Sequence, residues 1–143
     1  MAMKRRKTII LSIIGFAALS AGALVYLIFN RSAHFVRWFD SHLQEWPTEY
    51  TGNSVAAMVV RNWGADYLWM LSFTIFIQLV LRLREKDTQW LLLCTGLGIV
   101  WEFLQWFGRV NGTADIGDAA AYLLGSISAI LLTRIVAKEE EYE

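Results

Sequence analysis

The chain has 143 residues, of which 56% are hydrophobic and 18% charged, with 7 Trp, 8 Phe, 5 Tyr and a formal net charge of zero. That is more apolar and less charged than the soluble average of roughly 45–50% and about 25%, which argues against disorder and against a soluble domain of this size. A balanced charge leaves no basic stripe to release counterions from phosphates, so no nucleic-acid partner is expected, and one cysteine, Cys94, can form neither an internal disulfide nor a Cys-based zinc site.

Lys4, Arg5, Arg6 and Lys7 precede Thr8 to Phe29, a run without charge. At 1.5 Å per residue such a helix crosses a hydrocarbon core of roughly 30 Å. It exceeds the apolar region of a signal peptide and ends without a small-x-small cleavage site, so it reads as an uncleaved anchor. The connection from about Asn30 to Asn62 follows. In it Phe35, Trp38, Phe39, His42/Leu43 and Trp46 recur at helical spacing, with Arg37, Asp40, Ser41, Gln44 and Glu45 between them, until Pro47 ends the run. This pattern predicts an amphipathic outer helix, lying on the leaflet or capping the bundle. His34 and His42, eight residues apart, read as surface residues and not as metal ligands. Ser54 is placed to cap a short helix through Val60, after which Arg61 to Asp66 reads as a polar break.

Three more apolar runs follow: Tyr67 to Leu81, Thr88 to Phe107 interrupted by Glu102, and Ala119 to Thr133. Arg82 and Arg84 can snorkel and lengthen the first of these. The expected fold is therefore all-α, a single polytopic membrane bundle of four transmembrane helices at about 8–29, 66–83, 88–107 and 118–136. With the N-terminus inside, Lys4, Arg5, Arg6, Lys7, Arg82, Arg84, Lys86, Arg134 and Lys138 lie inside, against Arg31, Arg37, Arg61 and Arg109 outside. The positive-inside rule then puts both termini in the cytoplasm, with Glu139 to Glu143 a solvated tail. Trp63, Trp69, Trp90 and Trp106 fall near span ends, where indoles anchor in the headgroup layer.

The retained polar residues are concentrated in WEFLQWFGRVNGTADIGDAAAYLLG, Trp101 to Gly125. On a continuous helix Glu102, Gln105 and Arg109 stand at i, i+3 and i+7 and share a face. After an Asn111-Gly112 turn, Asp115 and Asp118 meet the exposed N–H groups at the start of the last span, and Tyr122 and Gly125 continue the Asp118 face. A carboxylate at the depth of Glu102 needs a partner, for which Arg109 is available. A functional site and a Glu–Arg clasp between helices both fit these residues. Arg61 and Asp66 are expected opposite the cluster.

The order Glu102-x2-Gln105-x3-Arg109-x5-Asp115-x2-Asp118, with Gly112-Thr113 before Asp115, resembles the signature of the VanZ-like family of small bacterial membrane proteins. The stretch RNWGADYLW, Arg61 to Trp69, is similar to the polar segment before another span in that family. Together they cover about half the chain. This chain departs from the family in one place, at Ala121 or Tyr122, where many members carry Asn or Glu. The resemblance implies a bacterial plasma-membrane location and a cell-envelope context linked to teicoplanin resistance, without an established reaction.

Three functions fit these features. The preferred one is a non-enzymatic envelope protein whose outward cleft, lined by Glu102, Gln105, Arg109, Asp115 and Asp118 with Arg61 and Asp66 opposite, binds a lipoglycopeptide or a lipid-linked precursor, without cofactor or metal. An intramembrane enzyme using Asp115, Asp118 and Glu102 on a lipid-linked or peptide substrate is the second. A small proton-coupled carrier with Glu102 as its titrating group is the third.

Overall fold

The computed structural model describes residues 5–29, 54–81, 87–110 and 115–139; the amphipathic-helix segment, both histidines, the Asn111-Gly112 turn and the C-terminal tail lie outside them. Every regular element among these residues is helical. In chain order they are α1 (Arg5–Phe29), α2 (Val55–Val59), a π-helical turn (Val60–Gly64), α3 (Ala65–Leu81), α4 (Asp87–Trp106) and α5 (Ile116–Glu139). Three helices are long and apolar enough to cross a membrane: Arg5–Phe29, the continuous rod Val55–Val80, and Ile116–Val136. Large apolar side chains stay exposed along them, Ile13 at 63%, Val80 at 75% and Ile135 at 56%. Water would penalise such a surface and lipid would not, so the chain is a membrane protein.

Two expectations about local structure change. Ser54 does cap α2, its hydroxyl accepting from the Ala57 N–H at 3.1 Å. The polar stretch after it, however, is not a break: it winds as a π-helical turn and joins α2 to α3 without interruption. Keeping the backbone helical preserves its hydrogen bonds while the wider turn re-aims the side chains. The second change concerns Arg109. Helix α4 stops at Trp106, and Gly108 takes φ +64°, a conformation that favours glycine. The Arg109 N–H donates to the Leu104 carbonyl at 2.8 Å and the Gly108 N–H to that of Gln105 at 2.9 Å, the Schellman pattern that closes a helix C-terminus. Arg109 therefore leaves the helix and does not share the Glu102 face.

Packing follows from small residues at the crossings. On α1 the buried positions Lys7, Leu11, Gly15, Ala18 and Gly22 form one stripe, and α1 lies against α3. A Cβ at Gly22 would come within 2.4 Å of the Trp69 indole, and one at Gly15 within 3.0 Å of Phe76. On α5, Gly117, Ala121, Gly125 and Ala129 recur every fourth residue. A Cβ at Gly125 would sit 2.6 Å from the Tyr67 carbonyl oxygen, so α3 and α5 touch backbone to backbone. Leu11, Ala18, Leu71, Ile75 and Ala129 fill the core where α1, α3 and α5 meet. Helix α4 packs on α5 and α3, and hydroxyls tie the three together: Thr74 and Thr95 both donate to Ser126 Oγ, at 3.4 and 3.3 Å. Tyr67 donates to Ser128 and Thr133 to Gln78.

Candidate functional site

The start of α3, the end of α4 and the start of α5 converge at one end of the bundle. There they enclose a cavity of about 580 Å³. Of the residues singled out in the sequence, Arg61, Asp66, Glu102, Gln105 and Asp118 line it; Arg109 and Asp115 do not. Its other walls are largely aromatic or apolar. Tyr26 of α1 stacks on Trp69 with ring centroids 5.0 Å apart, while Phe73 and Trp101 line it too. Met70, Cys94 and Tyr122 form a buried cluster below.

Glu102 is the best-satisfied acid in the group. Only 8% exposed, it accepts from the Tyr122 hydroxyl at Oε1, 2.8 Å, and from the Asp115 backbone N–H at Oε2, 3.2 Å. With its amide oriented to serve both ends, Gln105 also donates to Glu102 Oε2 at 3.3 Å and accepts from Trp101 Nε1 at 3.1 Å. The partner expected from the sequence is not used. Arg109 is exposed, and among the described residues no ion pair joins it to Glu102. Tyr122, donating from α5, supplies the partner instead.

Asp115 works as the N-cap of α5. Its Oδ1 accepts from the Gly117 N–H at 3.0 Å and its Oδ2 from Trp63 Nε1 at 3.3 Å. Those two donors, the Gly117 amide first, hold this exposed carboxyl below the usual carboxylate range. The cap thus ties the π-helical turn to α5. It also turns Asp115 off the cavity, so the Asp115–Asp118 pair that the enzyme alternative needed does not converge there.

Asp66 and Asp118 are different. Tyr122 has one hydroxyl proton, which lies with Glu102, and its oxygen stands 3.5 Å from Asp66 Oδ1. The only other donor to the Asp66 side chain among the described residues is its own backbone N–H, and none of them donates to that of Asp118. Arg61 at the rim reaches Asn62 Oδ1 at 3.5 Å and makes no ion pair with either acid. The cavity thus presents two half-buried carboxyl groups with unmet acceptors beside an aromatic wall. Among the described residues, no group of three or more His, Cys, Asp or Glu side chains is arranged to hold a metal ion.

No family model matches this chain, and neither a curated protein nor a solved structure does.

Proposed function

We propose that this chain is a four-span, VanZ-like protein of the bacterial plasma membrane, with both termini cytoplasmic and the cavity open to the outside. In this reading α4 is the remaining span: its apolar part, Leu91–Trp106, is shorter than the other three, and the whole helix of 20 residues reaches about 30 Å at 1.5 Å per residue. The protein is not an enzyme. It holds the polar head of an envelope amphiphile, a lipoglycopeptide or a lipid-linked precursor, and so contributes to glycopeptide resistance.

One observation carries this reading: Asp66 and Asp118 offer unmet acceptors in a cavity of about 580 Å³ at the end of an apolar bundle. A few convergent polar groups in an apolar pocket orient a ligand head while apolar surroundings accept its tail. The test is resistance to a lipoglycopeptide in a sensitive bacterial host. Expression of the wild-type chain raises resistance, and the double variant Asp66→Asn/Asp118→Asn loses it at unchanged membrane abundance. If abundance falls in step with resistance, the acids serve the fold and the proposal fails.

A further inference from the structure

The charged side chains are sorted by end. All four acidic side chains that the structure describes, Asp66, Glu102, Asp115 and Asp118, stand at the cavity end of the bundle. Of the six described bases, Arg5, Arg6, Lys7 and Arg134 stand at the opposite end. Packing fixes that placement: Gly22 of α1 meets Trp69 and Gly15 meets Phe76, so α1 runs antiparallel to α3 and starts beside its end. Thr133 bonds Gln78, so α5 finishes there too. In the sequence, the stretches 1–7, 82–87 and 134–143 that flank this end carry nine Lys or Arg against six Asp or Glu. The end is therefore net basic even with the acidic C-terminal residues counted.

The exposed bases also head apolar stripes. Arg6, Ile9, Ile13 and Phe16 fall at i, i+3, i+7 and i+10 of α1 and all are exposed, so one face of the helix runs from a guanidinium into hydrocarbon. On α5 the exposed Arg134 adjoins Ile135 and lies three residues past Leu131, both exposed as well. Each arginine stands where a surface suited to lipid chains gives way to the headgroup layer.

We infer that this basic end binds the phosphate heads of anionic phospholipids, Arg6 and Arg134 each seating a head whose chains run along the apolar stripe of the same helix, with Arg5 adding charge beside Arg6. A guanidinium matches phosphate in charge and in shape, since its planar fork donates two parallel N–H bonds. Net charge selects the lipid, because a zwitterionic head carries its own cation and gains little from a basic surface, whereas an anionic head is drawn to each Lys or Arg near it. The stripes favour lipid over a soluble acidic partner, which would bring no hydrocarbon to the same place. The site lies at the far end of the bundle from the cavity, and the inference does not rest on what the cavity holds.

The experiment uses the full chain in phosphatidylcholine bilayers that hold a trace of one spin-labelled lipid, either phosphatidylglycerol or phosphatidylcholine, and reads by electron spin resonance the fraction that the protein immobilises. The wild-type chain prefers the anionic lipid by about threefold, a modest share of what several basic residues at a membrane surface can supply. Arg5→Gln/Arg6→Gln/Arg134→Gln abolishes the preference, with helicity and elution volume reporting an intact fold; Arg6→Gln alone lowers it in part if the triple variant does not fold. Arg109→Gln, at the cavity end, leaves it as in the wild type. Equal immobilisation of the two lipids by the wild-type chain overturns the inference. A preference that survives the triple variant in full, or that Arg109→Gln removes, overturns it as well.

Discussion

The Tyr122 hydroxyl donates to Glu102 Oε1 at 2.8 Å, a buried bond from α5 to α4 at the level of the cavity. It answers how a carboxyl group is tolerated at that depth: by a tyrosine on the neighbouring helix together with the Asp115 amide, with no basic partner among the described residues. Tyr122→Phe removes the donor and leaves a buried acceptor, a loss of about 1–3 kcal/mol. Thermal unfolding of the detergent-solubilised protein measures it. A double-mutant cycle with Glu102→Gln returns a coupling energy above zero if the two side chains stabilise each other directly.

The Arg109 side chain lies outside this network. Arg109→Ala is expected to change stability by no more than about 0.5 kcal/mol, as for an exposed residue with no partner among the described residues. A loss near that of Tyr122→Phe in the same unfolding assay would restore the Glu–Arg clasp.

Two glycines separate close approach from helix propensity. Gly125→Ala puts a methyl group 2.6 Å from the Tyr67 carbonyl oxygen and forces α3 and α5 apart, at about 1–3 kcal/mol. Gly96 has nothing within 4 Å of an added Cβ, so Gly96→Ala stabilises by up to about 1 kcal/mol through helix propensity. Opposite signs for the two variants in one thermal-shift series are the expected outcome.

Asp115 adds a pH dependence. Its folded-state pKa lies below that of an ordinary carboxyl group, so its contribution to stability is fully present above the ordinary range and is lost as pH falls through the lower, folded one. As pH falls through and below the ordinary carboxylate range the wild-type protein should lose more stability than Asp115→Asn, which keeps a capping oxygen without the titrating charge. Parallel pH profiles for the two proteins would deny Asp115 this role.

Much of the architecture was readable because it depends on runs and spacings. The uncharged stretch from Thr8, the Ser54 cap and the meeting of Glu102 with the start of α5 all follow from residue type and chain order. The fate of Arg109 depended on one backbone torsion: with Gly108 left-handed the i+7 relation to Glu102 dissolves. The signal was in the sequence, since a glycine two residues past the last turn is the commonest helix stop. The Arg61 to Asp66 stretch looked like a break because its residues are polar, yet polarity does not prevent a π-helical turn. The repeat Gly117, Ala121, Gly125, Ala129 was also visible as small residues every fourth position, and would have placed α3 against α5. No spacing rule could have shown that Tyr122 replaces Arg109 as the Glu102 partner, because that depends on how two helices from different parts of the chain are set side by side.

The central claim is an outward cavity that an amphiphile head can fill. Asn62 lines its rim and is exposed, and Cys94, the only cysteine in the chain, is buried. The most direct measurement is therefore the reaction of Asn62→Cys, in a Cys94→Ala background, with a membrane-impermeant maleimide added outside intact cells, with and without a saturating lipoglycopeptide. The account predicts rapid labelling from outside that the lipoglycopeptide suppresses. Labelling only after the cells are opened, or labelling that the lipoglycopeptide leaves unchanged, would contradict it.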